Sequence, residues 1–322
     1  DVSPQAITVV HAGVDKAYGN PEYVIQATGG SNSIKAHYQG LREAGATAKA
    51  MLLAAAAQDL GLNVSELTTK SGSITAQGKT YSYGEFALSA GMFAIPEQVQ
   101  LKDSKDFSVI GKNSIRVDIS DKVVGAAVFG IDIEFDGLYR AALKRCPVIG
   151  GTVKSFDAGD VKNRRGVKSV VEIFNGIAVV ADTYWQAKTA LQEIAVEWDL
   201  PELAQINSSD VKQQYQQALD EDDGKQWLVQ GDVKTPFENL PQIIEAEYSA
   251  PYLAHATMEP MNCTVKIDGD KCDIWVPTQS PDVAQGVAAF YCNVAKENIA
   301  VHSTLIGGGF GRRGYEAFLR PV

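Results

Sequence analysis

The chain has 322 residues, 45% hydrophobic and 21% charged, enough for two or three packed units with a sizeable core. Its formal charge of −10, with basic residues scattered, excludes the basic face that nucleic-acid binding needs; the short cluster "KNRRGVK" reads as a solvated loop. No stretch reaches the roughly 20 apolar residues of a membrane-spanning helix, and the longest greasy run, "AMLLAAAA", reads as one face of a buried helix.

From 1 to 108 the chain is expected to open with a strand, "AITVVHAGV"; because Asp1 leads straight into it, upstream sequence is expected in front. The loop "QATGGSNSIKAHY" leads to a long helix in "LREAGATAKAMLLAAAAQDLG". There Leu41, Ala44, Ala48, Met51, Leu52 and Ala55 recur at helical spacing and Gly61 supplies the C-cap. "GSITAQGKTYSY" reads as a hairpin, and it is no phosphate loop, because five residues rather than four separate its glycines.

Residues 109–200 alternate strand and helix, as a compact α/β unit does. "GAAVFGIDI" and "LYRAALKRC" read as strands, and "VKSVVEIFNGIAVVAD" as a hairpin turning on Asn175-Gly176 with type I′ geometry. Asp182 is the expected N-cap of "TYWQAKTALQE", and "IAVEWDL" returns as a strand. Residues 201–226 form a polar connector with a helical middle; its acidic run from Asp220 to Asp223 lacks the alternating spacing of a calcium loop.

From 227 onward "QIIEAEYSA" reads as a strand and "CTVKIDGDKCDIWV" as a hairpin on Asp268-Gly269. That register sets Cys272 opposite Val265 and argues against a Cys263–Cys272 disulfide, so Cys146, Cys263, Cys272 and Cys292 read as buried free thiols. Ser280-Pro281 opens the helix "PDVAQGVAAFYCNVAK", and "NIAVHSTL" is the strand that delivers a glycine loop. His11 and His302, in apolar strand-like settings, read as satisfied core or edge histidines.

That loop, "LIGGGFGRRGYE", matches G-x-G-x-x-G at Gly309, Gly311 and Gly314, with "YEAFL" able to open a helix after it. A dinucleotide site also needs an acidic residue about 20 positions downstream. This chain holds none there, and Arg312 and Arg313 stand where small residues are preferred. A glycine-rich turn without a ligand is the plainer reading. A third fits the residues better. Glycines around Phe310 leave main-chain N–H groups unshielded, and Arg312 and Arg313 add positive charge for an anionic or oxo-bearing ligand. Thr28, Gly29, Gly30 and Ser31 offer the same chemistry ahead of a long helix, so the two loops together point to a phosphorylated organic cofactor held between segments.

"PYLAHATMEPMNCTV", "DIWVPTQSPDVAQ" and "LIGGGFGRR", in that order and spacing, resemble the large subunits of molybdenum hydroxylases, the xanthine dehydrogenase and aldehyde oxidase family. "YGNPEYVIQATGGSNSI" and "LREAGATAKAMLLAAAA" are similar to one branch, the isoquinoline 1-oxidoreductase β-subunit and membrane-bound aldehyde dehydrogenase type. "IGKNSIRVDISDKVVGAAVFGIDI" resembles the start of that family's α/β hammerhead domain. The resemblance implies an α+β chain in which a split molybdopterin-binding region, 1–108 and 227–322, flanks a hammerhead-like domain at 109–200, with 201–226 as connector.

It further implies a pterin-dithiolene molybdenum cofactor, in this branch the cytosine dinucleotide form, hydroxylating an aldehyde or N-heterocycle with oxygen from water. A small subunit with two-iron, two-sulfur clusters would take the electrons and pass them to a cytochrome c, in the periplasm. By position, Gly308, Gly309, Phe310 and Gly311 would turn N–H groups to the metal's oxygen ligands, with Arg312 close by and the Gln279 amide reaching the apical oxygen. Thr28 to Ser31 would hold the pterin or its phosphates, and His255 and Glu259 would serve the substrate pocket or the structure beside it.

Two departures qualify the resemblance. Purine-oxidising members carry a glutamine before the motif histidine and a glutamate after the glycine loop; Leu253 and Gly314 stand there, which implies a less polar substrate. The family's general-base glutamate, and a glycine-glutamine loop expected before "AITVVHAGV", lie outside this chain. It is therefore read as a piece of a longer protein, without turnover by itself. The alternatives are a non-catalytic binding or assembly module that kept the fold, and a Rossmann-type dehydrogenase with a parallel sheet leading into Gly309.

Overall fold

A computed structural model describes residues 2–3, 6–221, 224–232 and 234–314. In chain order, helix α1 (Ser33–Leu60) precedes strands β1 (Thr68–Lys70), β2 (Ser73–Ala76) and β3 (Lys79–Ser82) and short helices α2 (Ala87–Ala90) and α3 (Ile119–Val123). Next come β4 (Arg140–Arg145), β5 (Thr152–Asp157), β6 (Val167–Ile173), β7 (Gly176–Ala181), α4 (Tyr184–Gln192), β8 (Ala195–Asp199), α5 (Ser208–Glu221) and α6 (Lys234–Asn239). The described chain ends with β9 (Thr264–Asp268), β10 (Lys271–Val276), α7 (Pro281–Cys292) and β11 (Ile299–Ser303). The chain is mixed α/β and divides into two units, one made of residues up to Ile133 and from Thr257 onward, the other of Glu134–Ala256.

The first unit has two cores. In one, α1 lays Ala55, Ala56 and Ala57 against Ile74, Phe86 and Ala90. Alanine serves twice there, being the strongest helix former and small enough to let the helix come close. Gly61 ends α1 in left-handed backbone (φ 67°), and the neighbouring strands run β1-β2-β3, all antiparallel. In the other core β10 is central, antiparallel to β9 and parallel to β11. The parallel pair needs a crossover, which α7 provides, packing Ala284 and Ala288 on Ile274, Val276 and Val301. His302 is held at this sheet: its Nε2 lies 2.6 Å from Asp273 Oδ1, and its ring stacks on Trp275 at 4.8 Å.

The second unit is built on the antiparallel sheet β4-β7-β6 and the β5-β8 pair. Its centre is β7, where Ile177, Val179 and Ala181 are fully buried and α4 covers them with Ala187, Ala190 and Leu191. The strand β5 had no counterpart among the elements expected from sequence. Among the described residues no helix is long and apolar enough to cross a membrane.

Several expected elements come out differently. "AITVVHAGV" joins no described sheet; Ile7, Val9 and Val10 are exposed, and His11 Nδ1 lies 2.9 Å from the Ser303 carbonyl. "QIIEAEYSA" likewise lies outside any strand, with Ile244 and Tyr248 exposed. Strand propensity measures fit to a half-buried pleated surface, and neither segment has the neighbour that supplies one. "GAAVFGIDI" forms a single bridge, Phe129 to Leu305, and then turns, because the Asp132 carboxylate accepts the Phe129 N–H at 2.9 Å in place of a ladder partner. Asp182 is not the cap of α4: it pairs with Lys168 at 2.8 Å, and Thr183 caps instead, in a reciprocal box with Gln186. "YEAFL" lies outside the described residues.

Both hairpins form, but each turns one residue from its expected place. Lys271 faces Asp268, so the loop is Gly269-Asp270 and Cys272 pairs with Ile267 rather than Val265. The four cysteines are free, as expected, and burial pushes the Cys263 thiol up to about 12 and Cys272 to about 11, which makes both poor nucleophiles. Ile173 faces Gly176, so the other loop is Phe174-Asn175, with neither residue at positive φ. Gly176 begins β7 instead, wedged between its neighbours so tightly that a Cβ would strike the Lys144 carbonyl. Gly176→Ala should therefore destabilise the second unit by about 2–4 kcal/mol, read as a lower urea midpoint, whereas an alanine tolerated at full stability contradicts this packing.

Candidate functional site

Past β11 the chain enters the glycine loop, where Gly308 (φ 99°), Phe310 (φ 52°) and Gly311 (φ 84°) all take left-handed backbone. Glycine adopts it freely. Phe310 does so at a cost of about 1–3 kcal/mol and only where its surroundings impose it, and its ring stands 75% exposed.

Arg313 imposes it. Its side chain is 0% exposed, with Nε donating to the Gly308 carbonyl and Nη2 to the Glu259 carbonyl, each at 2.6 Å. Nη2 also stands 3.2 Å from Glu259 Oε2. Desolvation lowers the Arg313 pKa, and the Glu259 carboxylate opposes that shift. Glu259 is committed to the same arrangement, since Oε2 accepts the Gly307 N–H at 2.8 Å, and Oε1 accepts Asn262 Nδ2 at 2.8 Å and the Ile131 N–H at 3.2 Å.

Gln279 joins this loop to the other. Its N–H donates to the Arg313 carbonyl at 2.9 Å, its carbonyl accepts the Thr28 N–H at 2.8 Å, and its Nε2 donates to the Thr28 carbonyl at 2.7 Å. Its Oε1 is 3.6 Å from where a Gly309 Cβ would be. A second tie runs from the Gln26 N–H to Asp282 at the start of α7, 3.1 Å. Before α1, Asn20 and Asn32 are buried; Asn20 Nδ2 donates to Asn32 Oδ1 at 2.5 Å and Asn32 Nδ2 to Glu22 at 2.7 Å. Asn32 occupies the N-cap position, yet its side chain is held away from it, leaving the start of α1 without a side-chain cap.

Among the described residues, the N–H groups of Gly308, Gly309, Phe310 and Gly311 meet no acceptor, and neither do those of Gly29, Gly30 and Ser31. Gly29 and Gly311 have open space where a Cβ would point. Bare, unpaired amides beside the positive end of a 28-residue helix suit an anionic or oxo-bearing group. No cluster of His, Cys, Asp or Glu among the described residues is placed to hold a metal ion.

The structure thus brings Thr28, Gln279 and Gly309 together, with Gly308, Phe310, Gly311 and a half-buried Arg312 in the same loop. Gly29, Gly30 and Ser31 continue the other loop from Thr28. Glu259 has its carboxylate occupied by structural partners, and His255 is exposed in the second unit. Arg313, grouped with Arg312 as a possible phosphate contact, is a buried strut instead. The signal was present: of two arginines side by side on a tight turn, one faces inward. Asn20 and Asn32 left no comparable mark. Arg313→Met should cost about 3–5 kcal/mol and expose residues 305–314 to limited proteolysis; unchanged protection would count against the strut.

Residues 217–320 match the family described as Molybdopterin cofactor-binding domain. The chain is 27% identical to the isoquinoline 1-oxidoreductase β-subunit of Brevundimonas diminuta, over 97% of this chain and 46% of that protein. It is 25% identical to the membrane-bound aldehyde dehydrogenase (pyrroloquinoline-quinone) of Gluconacetobacter polyoxogenes, over 91% and 40%. It is 27% identical to a nicotinate dehydrogenase subunit of Pseudomonas putida, over 84% and 24%. The solved structure of quinoline 2-oxidoreductase from Pseudomonas putida 86 aligns with TM-score 0.48 and 18% identity, over 65% of this chain and 32% of that one. The chain spans under half the length of these curated relatives. With a cofactor-binding domain matched by sequence over residues 217–320, the chain is similar to molybdenum-cofactor oxidoreductase subunits across most of its length.

Proposed function

We propose that the chain is the cofactor-holding part of a molybdenum hydroxylase that oxidises an aldehyde or an N-heterocycle. The observation that carries this reading is the clasp of Gln279 on Thr28, which sets two loops of unpaired amides side by side. When bound, a pterin-dithiolene molybdenum centre supplies oxidation of a substrate carbon with oxygen drawn from water.

The chain's own groups would hold and orient it. Gly308 to Gly311 would donate N–H groups toward oxygen on the metal, with Arg312 adding charge, and Gln279 has one amide hydrogen beyond that given to Thr28. Thr28 to Ser31, at the uncapped start of α1, would take the pterin or its phosphates, in the cytosine dinucleotide form. The relatives' names, which speak of isoquinoline, nicotinate and aldehyde, support the substrate class, and Leu253 and Gly314 favour a less polar member of it. We assign the hammerhead-like domain to 109–200 and the split cofactor region to 1–108 and 227–322. A small iron-sulfur subunit, an onward cytochrome c and a periplasmic site complete the proposal; two of the relatives are themselves named as subunits.

The full-length gene product should contain near-stoichiometric molybdenum and release a pterin on denaturation. A metal-free protein would mark a non-catalytic module, and tight NAD or FAD binding would mark a dehydrogenase. Glu259, the carboxylate that touches the loop, is committed to Arg313 and three further donors, so it is not free to act as general base. The 322-residue chain supplied with cofactor should accordingly show no hydroxylase turnover in a single-turnover assay; measurable product would overturn that.

A further inference from the structure

Away from the glycine loops, three of the four cysteines gather at one core of the first unit: Cys272 is buried within it, and Cys263 and Cys292 pack against its margin. Their positions follow from the crossover. Ala284, Ala288 and Cys292 recur every four residues along α7, which sets them on one stripe of the helix. The two alanines bring that stripe close to Ile274 and Val276, and Cys292, at the last helical position, meets Cys272 near the start of β10. The two sulfur atoms lie 4.0 Å apart, in contact as S–H donor and acceptor.

Both thiols sit on regular elements, so the packing of α7 on the sheet sets this contact. Directly after Cys292 the chain leaves the helix, with Asn293 in left-handed backbone (φ 52°). A sulfur–sulfur bond requires the atoms to close by roughly 2 Å, a shift that the fraying last turn of a helix accommodates. Cys292 is half-buried and Cys272 buried, so a dissolved oxidant meets Cys292 first. Cys263 is placed differently. Thr264 stands opposite Trp275, three positions past Cys272, so Cys263 lies about 10 Å or more from Cys272 along the strands.

We propose that Cys272 and Cys292 form a dithiol modification site, which an oxidising disulfide such as glutathione disulfide closes into a bond stapling the end of α7 to β10. The Cys292 thiolate attacks one sulfur of glutathione disulfide, forming a mixed disulfide and releasing one glutathione. The Cys272 thiolate then attacks the Cys292 sulfur and expels the second glutathione. Two protein thiols are oxidised, one glutathione disulfide is reduced, and both protons end on the released glutathione. Burial keeps Cys272 mostly protonated. Its target sulfur is already in contact, and the effective concentration of roughly 10⁵ M or more reached by oriented groups offsets the small thiolate fraction. The bond ties down the far end of the helix that follows Gln279.

Glutathione disulfide added to the full chain in mildly alkaline buffer, followed by acid quenching, alkylation and peptide mapping, tests this. Two of the four free thiols should disappear, with one peptide pair joined through Cys272 and Cys292. Tm should rise by about 5 °C or more, because the bond closes a long loop, and dithiothreitol should reverse the rise. Cys263→Ala should leave the crosslink in place, whereas Cys292→Ala should remove both the crosslink and the Tm rise. Chain statistics alone favour the shorter loop between Cys263 and Cys272 over the 20-residue separation of Cys272 and Cys292, so the joined pair reports the packing. Four surviving thiols, glutathione left on Cys292, or a crosslink through Cys263 overturns the proposal.

Discussion

A guanidinium taken fully out of water beside a carboxylate is costly, and the geometry around Arg313 shows what offsets the cost. Carbonyls of Gly308 and Glu259 accept from it, the Glu259 carboxylate lies alongside, and that carboxylate is itself saturated by Gly307, Ile131 and Asn262. A buried pair of this kind adds little net stability over an apolar replacement, while losing one partner is severe. Its effect is positional. It draws the chain around residue 259, the glycine loop at 307–308 and the turn at 312–314 into one arrangement.

The glycine loop then has a specific chemical character. Its polar groups are main-chain amides whose directions are set by backbone torsions, so they are oriented before any ligand arrives and lose no side-chain entropy on binding. The cost falls on the unliganded loop, which leaves four N–H groups without protein acceptors among the described residues. Gln279 extends the same logic across sequence: a residue ahead of α7 uses both main-chain groups and its amide to hold Arg313 on one side and Thr28 on the other. Among the described residues, the Glu259 carboxylate that touches the loop is consumed in building it.

Much of this site was legible in the residues, because glycine clusters ahead of a helix and after a strand have few other uses. The two glycine loops follow from residue types and order, whereas Gln279 was picked out only by the family resemblance. What the residues concealed was the division of labour between neighbours. Arg312 and Arg313 are chemically identical, and only burial separates a loop residue from a strut. Glu259 is equally suited to a substrate role by type, and only the four donors on its oxygens decide against it. Asn32 is a favourable cap residue by type, yet contact with Asn20 and Glu22 turns its side chain away and leaves the helix start open.

The fold divides along the same line. Elements whose evidence is internal were largely settled by sequence: the body and end of α1 by its alanine-rich repeat and Gly61, although the helix starts at Ser33 inside the stretch read as a loop, the start of α7 by Ser280-Pro281, and the β6-β7 and β9-β10 hairpins by apolar runs around short turns. Elements that need a partner were not. "AITVVHAGV" and "QIIEAEYSA" have strand composition, but a strand exists only where another chain segment satisfies its ladder. Turn placement went the same way, since Gly176 is required by the Lys144 carbonyl packed against it and not by the turn beside it. Local chemistry therefore determined most of the helices and the existence of the hairpins. Register, strand membership and the roles of paired charges waited on contacts between residues far apart in sequence, because desolvation and hydrogen-bond saturation belong to the packed neighbourhood and not to any residue alone.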